Sequence, residues 1–223
     1  MSAEDPAELG EPQPFAFDAV RATLGVSTDV DSCVQLAGRI DALMSQAIEY
    51  FRQEGAGIAC RAGCSFCCHL RVMVLPHEAI ALFRYLGARM PREQAEIVRH
   101  RVLENAARIK DASTRNEPCA FLVEDRCTAY DARPSACSGY HSLSRERCER
   151  AYEQRSGVPP EGIPILQAMR HVAATLDEGM QQGLGAAGLS GARVELHTAV
   201  AALLRDPALV QRWRGGRTLI RSG

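Results

Sequence analysis

Eight cysteines gathered in two clusters constrain this chain more than any other feature. The first cluster reads Cys60-Arg-Ala-Gly-Cys64-Ser-Phe-Cys67-Cys68. The second is Cys119, Cys127, Cys137 and Cys148, threaded through Pro118-Cys119-Ala-Phe-Leu and Tyr130-Asp-Ala-Arg133-Pro134-Ser-Ala-Cys137. Thiols collected this way in a reducing compartment have little purpose unless they hold a metal or an iron–sulfur cluster. The fold must then bring two distant stretches together around inorganic ions.

Positions 60, 64, 67 and 68 would share one face of a helix. A buried stripe made wholly of cysteine has no packing rationale, because thiols are oxidation-prone, and Gly63 argues against an uninterrupted helix. The pattern predicts a loop that enters a helix at Cys64, with Cys64, Cys67 and Cys68 converging from its first turn and Cys60 folding back. The helix N-terminus would stabilise thiolates, the form that ligates metal. Eight thiolates with two divalent ions leave a formal charge of roughly -4. Arg61, Arg71, Arg126, Arg133, Arg145 and Arg147 are candidates to offset it, Arg133 foremost because Pro134 fixes its backbone.

Eight ligands make two four-cysteine sites: two zincs, or one zinc and one iron–sulfur cluster. The spacing matches neither a zinc ribbon nor the ferredoxin run, so it signals metal without naming which. His69 and His141 flank cysteines and read as supporting or surface residues. His77, His100, His171 and His197 fall on predicted helices and receive no role. Cys33 lies on an apolar helical stripe and reads as a small buried hydrophobe.

The 223 residues suffice for one substantial core. A net charge of -1 gives no broad attraction to nucleic acid or to an anionic membrane. The expected partner is a protein or a small-molecule substrate. No apolar run approaches the roughly 20 residues of a membrane helix, and Met1 to Asp18 is acidic and Pro-rich, unlike a secretory signal. A cytoplasmic setting follows as an expectation, and with it reduced thiols.

The fold class is mainly α: a small helical domain with an irregular cysteine-rich metal-binding segment. Residues 1–26 are expected to be a flexible N-terminal arm, 27–156 the cysteine-cluster domain, and 157–223 a helical segment packed on it. Cys33, Leu36, Ile40, Leu43, Ala47 and Phe51 recur at helical spacing after a start at Thr28, Asp29 and Asp31. Pro76-His-Glu78 opens a second helix and Pro91-Arg-Glu93 a third, with Ile97, Val98 and Val102 inward. Phe121–Val123 predicts a short strand, turned back by Glu124-Asp125-Arg126. Gly157–Gly162 reads as a linker. Helices follow from Ile165 to Leu184, from Ser190 to Leu204, and after Asp206-Pro207, the last carrying Trp213.

The ordered motifs Cys60-x3-Cys64-x2-Cys67-Cys68, Leu75-Pro76-x-Glu78-Ala79, Pro118-Cys119-x-Phe121-Leu122, Cys127-x2-Tyr130 and Arg133-Pro134-x2-Cys137 resemble those of the YkgJ-type cysteine-cluster proteins, described as zinc- or iron-chelating. Ser142-Leu143 with Cys148-Glu149-Arg150-Ala151 is similar to one branch of that family and supports Cys148 as the eighth cysteine. The resemblance spans roughly residues 58 to 152. It implies zinc or iron–sulfur binding, often with an oxidoreductase label. A flagellin lysine methylase resembles this domain within a longer chain. No Gly-rich strand-to-helix turn of the nucleotide-binding kind occurs here, so methylase activity is not carried across. Cys137 is followed by Ser138, where many relatives have Arg.

Three functions compete. The first is a metalloprotein with a [4Fe-4S] cluster and/or Zn2+, redox-active as an Fe-S-dependent oxidoreductase, its potential tuned by Arg and backbone N–H groups. The second is a zinc-stabilised interaction module without catalysis, the metal supplying on the order of 10 kcal/mol of folding free energy. Zinc hydrolysis or thiol alkyl transfer ranks last, because Tyr130, Asp131 and Glu124 have no diagnostic spacing. No catalytic residue is assigned.

Overall fold

The computed structural model describes residues 11–109, 117–154 and 162–220. The chain is mainly α, as expected. Helix α1 (Pro12–Leu24) precedes the long α2 (Val30–Gln53), which Asp29 caps by accepting the Ser32 N–H at 2.7 Å. Its buried face carries Cys33, Leu36, Ile40, Leu43 and Ala47, the stripe legible in the sequence. Strand β1 (Met73–Val74) leads into α3 (Pro76–Ala88), and α4 (Arg92–Arg108) follows. Val98 and Val102 are fully buried in α4, but Ile97 is half exposed, one step off the inward stripe.

Strands β2 (Leu122–Val123) and β3 (Arg126–Cys127) form the expected hairpin. Glu124 and Asp125 both take positive φ, as a two-residue hairpin turn requires. Short α5 (Ser135–Ser138) and α6 (Arg145–Glu153) carry Cys137 and Cys148. The linker expected at Gly157–Gly162 lies almost wholly outside the described residues. Helix α7 (Gln167–Ala186), β4 (Val194–Glu195), α8 (Leu196–Arg205) and α9 (Leu209–Arg214) complete the fold.

The structure corrects two sequence expectations. Pro12–Leu24, assigned to a flexible arm, is a packed helix. Ala16, Ala19, Val20 and Leu24 are buried on one face, a periodicity that the acidic, Pro-rich composition obscured. Pro12 costs nothing at the first helical position, where its missing N–H would be unpaired. The helix lies along α7. Gly179 and Gly183 make that approach possible: a Cβ at Gly183 would sit 2.7 Å from that of Val20, and one at Gly179 would collide with the Gln13 carbonyl. Second, no α-helix begins at Cys64. Gly63 turns the chain at φ 80°, and Phe66–His69 form a single 3₁₀ turn that ends in extended Leu70.

The C-terminal helices share one core with α1–α4. Leu176, Met180, Leu203 and Trp213 belong to the same buried cluster as Leu36, Leu82 and Val98. The Trp213 indole donates to the Ser190 carbonyl at 2.9 Å, satisfying its buried N–H. Strand β4 pairs antiparallel with β1, Met73 opposite Glu195. That pairing ties the C-terminal region to the segment just after the first cysteine cluster. Among the described residues, no helix is long and apolar enough to cross a membrane.

Candidate metal centre

The two cysteine clusters meet. Backbone contacts fasten them: the Cys119 N–H donates to the Cys68 carbonyl at 2.7 Å, and the Ala59 N–H to the Ser142 carbonyl at 2.9 Å. A side-chain bond adds to these, with the Ser65 hydroxyl donating to Asp125 at 2.7 Å. Cys64, Cys67, Cys68, Cys119, Cys127 and Cys137 line one cavity of about 470 Å³. Its apolar wall includes Leu70, Val72, Leu82, Phe121 and Leu196. Exposed Arg61, Arg126 and Tyr130 also border it, with part-buried Arg133.

Cys60 and Cys148 flank this cavity through one residue. The Ser142 N–H donates to Cys60 Sγ at 3.3 Å, and the Ser142 side chain lowers the Cys148 thiol. Ser142 itself is almost completely buried. A thiolate at Cys64 or Cys67 is felt by both Cys60 and Cys148, whereas Cys137 feels Cys119, Cys67 and Cys127. In charge coupling Cys60, Cys64 and Cys148 stand apart from Cys119, Cys127 and Cys137, and Cys67 adjoins both, while Cys64 shares the cavity with the second group.

All nine cysteines are free thiols. Burial pushes the Cys119 and Cys127 thiols up to about 11, Cys137 well above its ordinary value, and Cys60 and Cys148 upward too. Cys67 is raised first by its hydrogen bond with the Cys68 sulfur and then by burial. Opposing this are the backbone N–H groups two residues downstream, of Phe121 for Cys119 and of Ala129 for Cys127, which lower the two thiols. The Arg133 charge lowers both Cys67 and Cys127. Its guanidinium stacks 3.6 Å from the Tyr130 ring centroid, and its Nε donates to the Tyr130 carbonyl.

These thiols fit a soft or borderline cation in their chemistry. They are partly buried, mutually repulsive when ionised, and supplied with N–H and guanidinium groups that favour sulfur's charge. Among the described residues, no three His, Cys, Asp or Glu side chains are gathered closely enough to form a ready metal site.

The histidines divide differently from expectation. His69 packs against Tyr152, with ring centroids 4.6 Å apart, and its Nδ1 faces the Ser65 carbonyl at 3.2 Å. His141 pairs with the Ser138 carbonyl at 2.9 Å. Neither lines the cavity, although both flank cysteines in sequence. His197, given no role by sequence, does line it. Nothing in the cysteine motifs points to a residue so far downstream. Cys33 is fully buried in α2, its thiol raised to about 12 by burial.

Residues 59–162 match a family model described as "CxxCxxCC: Putative zinc- or iron-chelating domain". This segment is similar to that family. The match takes in both cysteine clusters and ends before α7, so α1, α2 and all of α7–α9 lie outside it. No curated protein and no solved structure matches the chain.

Proposed function

We propose that the eight clustered cysteines form two metal sites that hold an iron–sulfur cluster and/or zinc, and that the protein is a cytoplasmic, redox-active metalloprotein. One site draws on Cys60, Cys64 and Cys148, the other on Cys119, Cys127 and Cys137. Cys67 and Cys68 complete one set of four each. The observation that carries this reading is the shared cavity, into which sulfurs from segments separated by two helices converge.

The iron–sulfur assignment of one site rests on its surroundings. The backbone N–H groups that favour charge on Cys119 and Cys127, the Arg133 charge and the apolar wall are the levers that set a cluster's potential. When bound, the cluster would supply one-electron chemistry. The residues around it fix the sulfurs' orientation, limit water and leave exposed Arg61, Arg126 and Tyr130 to meet a partner or substrate. Nine free thiols suit a reducing compartment.

Sparse regular structure favours a second reading. Residues 59–74 and 117–148 contain only two-residue strands and short helical turns. A structural zinc worth on the order of 10 kcal/mol would hold such a segment together without chemistry.

Anaerobic purification with iron, sulfide and zinc analysis and a visible spectrum separates the two. A brown protein with acid-labile sulfide supports the redox reading. A colourless protein with zinc alone supports the structural one. Full folding without metal, together with no uptake of iron or zinc, would overturn both.

A further inference from the structure

His197 stands outside the matched family segment yet borders the thiol cavity. It is the second residue of α8 and is almost fully buried. Both ring nitrogens are engaged. Nε2 accepts the Ala120 N–H at 3.1 Å, and Nδ1 lies 3.1 Å from Glu195 Oε1. A backbone N–H can only donate, so Nε2 carries the lone pair and Nδ1 the proton, which goes to the carboxylate. Glu195 is itself fixed: its other oxygen accepts the Thr198 N–H at 2.7 Å and the Thr198 hydroxyl at 2.8 Å. Its backbone lies in β4, paired with β1.

Ala120 is completely buried and directly follows Cys119 in the chain. The imidazole thus grips the peptide N–H immediately after a candidate ligand. On the other side, the Cys119 N–H is held by the Cys68 carbonyl. The Cys119 turn is therefore pinned from both flanks, by the first cysteine cluster and by the C-terminal helices.

We infer that His197 is a positioning residue for the metal centre: with Glu195 it clamps the Ala120 peptide and so sets the direction of the Cys119 sulfur. The inference rests on the proposed metal site. It makes α8 a working part of that site.

The test uses the full chain with Co2+ as the probe metal, and amide hydrogen exchange as a readout that needs no metal. His197→Ala is expected to speed exchange at Ala120 and to weaken one cobalt equivalent about 10- to 100-fold, the range for lost outer partners. His197→Gln, whose amide oxygen can accept the same N–H, is expected to recover most of both. Thr198→Ala removes one of the two bonds that fix Glu195 but leaves the ring in place, and should weaken cobalt binding less than His197→Ala does. Cobalt binding by His197→Ala equal to wild type would overturn the inference while leaving the metal site intact. So would the spectral loss of a nitrogen donor in that variant, which would make His197 a ligand. A wild type that takes up no cobalt would overturn the metal reading itself, and this inference with it.

Discussion

Glu78 Oε1 accepts both the backbone N–H of Ser135, at 2.8 Å, and its hydroxyl, at 2.9 Å. The other carboxylate oxygen takes the Leu75 N–H at 2.8 Å. One nearly buried side chain at the start of α3 thereby fixes the entry into α5, the short helix that carries Cys137. The carboxylate of the Pro76-x-Glu78 motif is thus a brace for the second cysteine cluster, and its reach is across the fold.

Replacing this brace is expected to cost stability in proportion to the donors left unpaired. In Glu78→Gln the amide oxygen can keep Ser135, but its NH2 group then faces the Leu75 N–H. One buried donor is stranded, for a loss of about 1–3 kcal/mol. Glu78→Ala strands three donors and should lose more. Urea unfolding checks this through a lower midpoint at unchanged slope. An unchanged midpoint for Glu78→Ala would show that the brace contributes nothing.

The sequence made the helices and the ligand candidates legible for physical reasons. The stripe from Cys33 to Ala47 and the Pro-started α3 follow local rules of periodicity and capping. The hairpin at 122–127 follows from its turn. What failed was non-local or masked by composition. Helix α1 reads as an arm because its apolar residues sit among Pro and acids, and only Gly179 and Gly183, far downstream, reveal where it packs. The turn at Phe66–His69 offers the Cys68 carbonyl to the Cys119 N–H, a contact that no spacing announces. The same holds for His197, whose place at the cavity depends on β1 pairing with β4.

Metal uptake should release protons, more readily as pH rises. Burial, the largest cause, lifts Cys119 and Cys127 from 9.0 to about 11, so both are protonated near neutrality and must lose that proton to ligate. Apparent affinity for Zn2+ is then expected to climb steadily across roughly pH 6 to 8. Calorimetric titrations in buffers of different ionisation enthalpy count the protons. For the metal-free protein the sign is set by folded values above the unfolded ones. The stabilisation is complete below about pH 9 and is lost as pH rises towards about 11. Affinity that does not vary with pH would mean that these thiols do not ligate.

Gly179→Ala and Gly183→Ala should each destabilise the chain, by about 1–3 kcal/mol through overpacking at the α1–α7 contact. The usual helix-propensity gain of an alanine works the other way, about 1 kcal/mol, and is too small to offset a clash with backbone. Gly185→Ala on the same helix meets nothing within 4 Å and serves as the control. It should be neutral or stabilising. Thermal unfolding of the three variants decides it, and equal midpoints for Gly183→Ala and Gly185→Ala would rule out close α1–α7 packing.

Arg133 combines a charge near the sulfurs with a stacked position on Tyr130, and the two can be separated by substitution. Arg133→Leu removes both, so the thiols of Cys67 and Cys127 lose the cation that favours their ionised form. Zinc affinity is expected to fall about tenfold, within the range for outer-shell partners. Arg133→Lys keeps the charge but loses the planar group that stacks and donates through Nε. It should bind between the two. Tyr130→Leu removes the stacking partner alone, worth about 0.5–1 kcal/mol at an exposed ring, and should lower affinity less than Arg133→Leu. Competition with a chromophoric chelator ranks the four proteins. If Arg133→Leu binds zinc as tightly as wild type, the guanidinium does not support the thiolates.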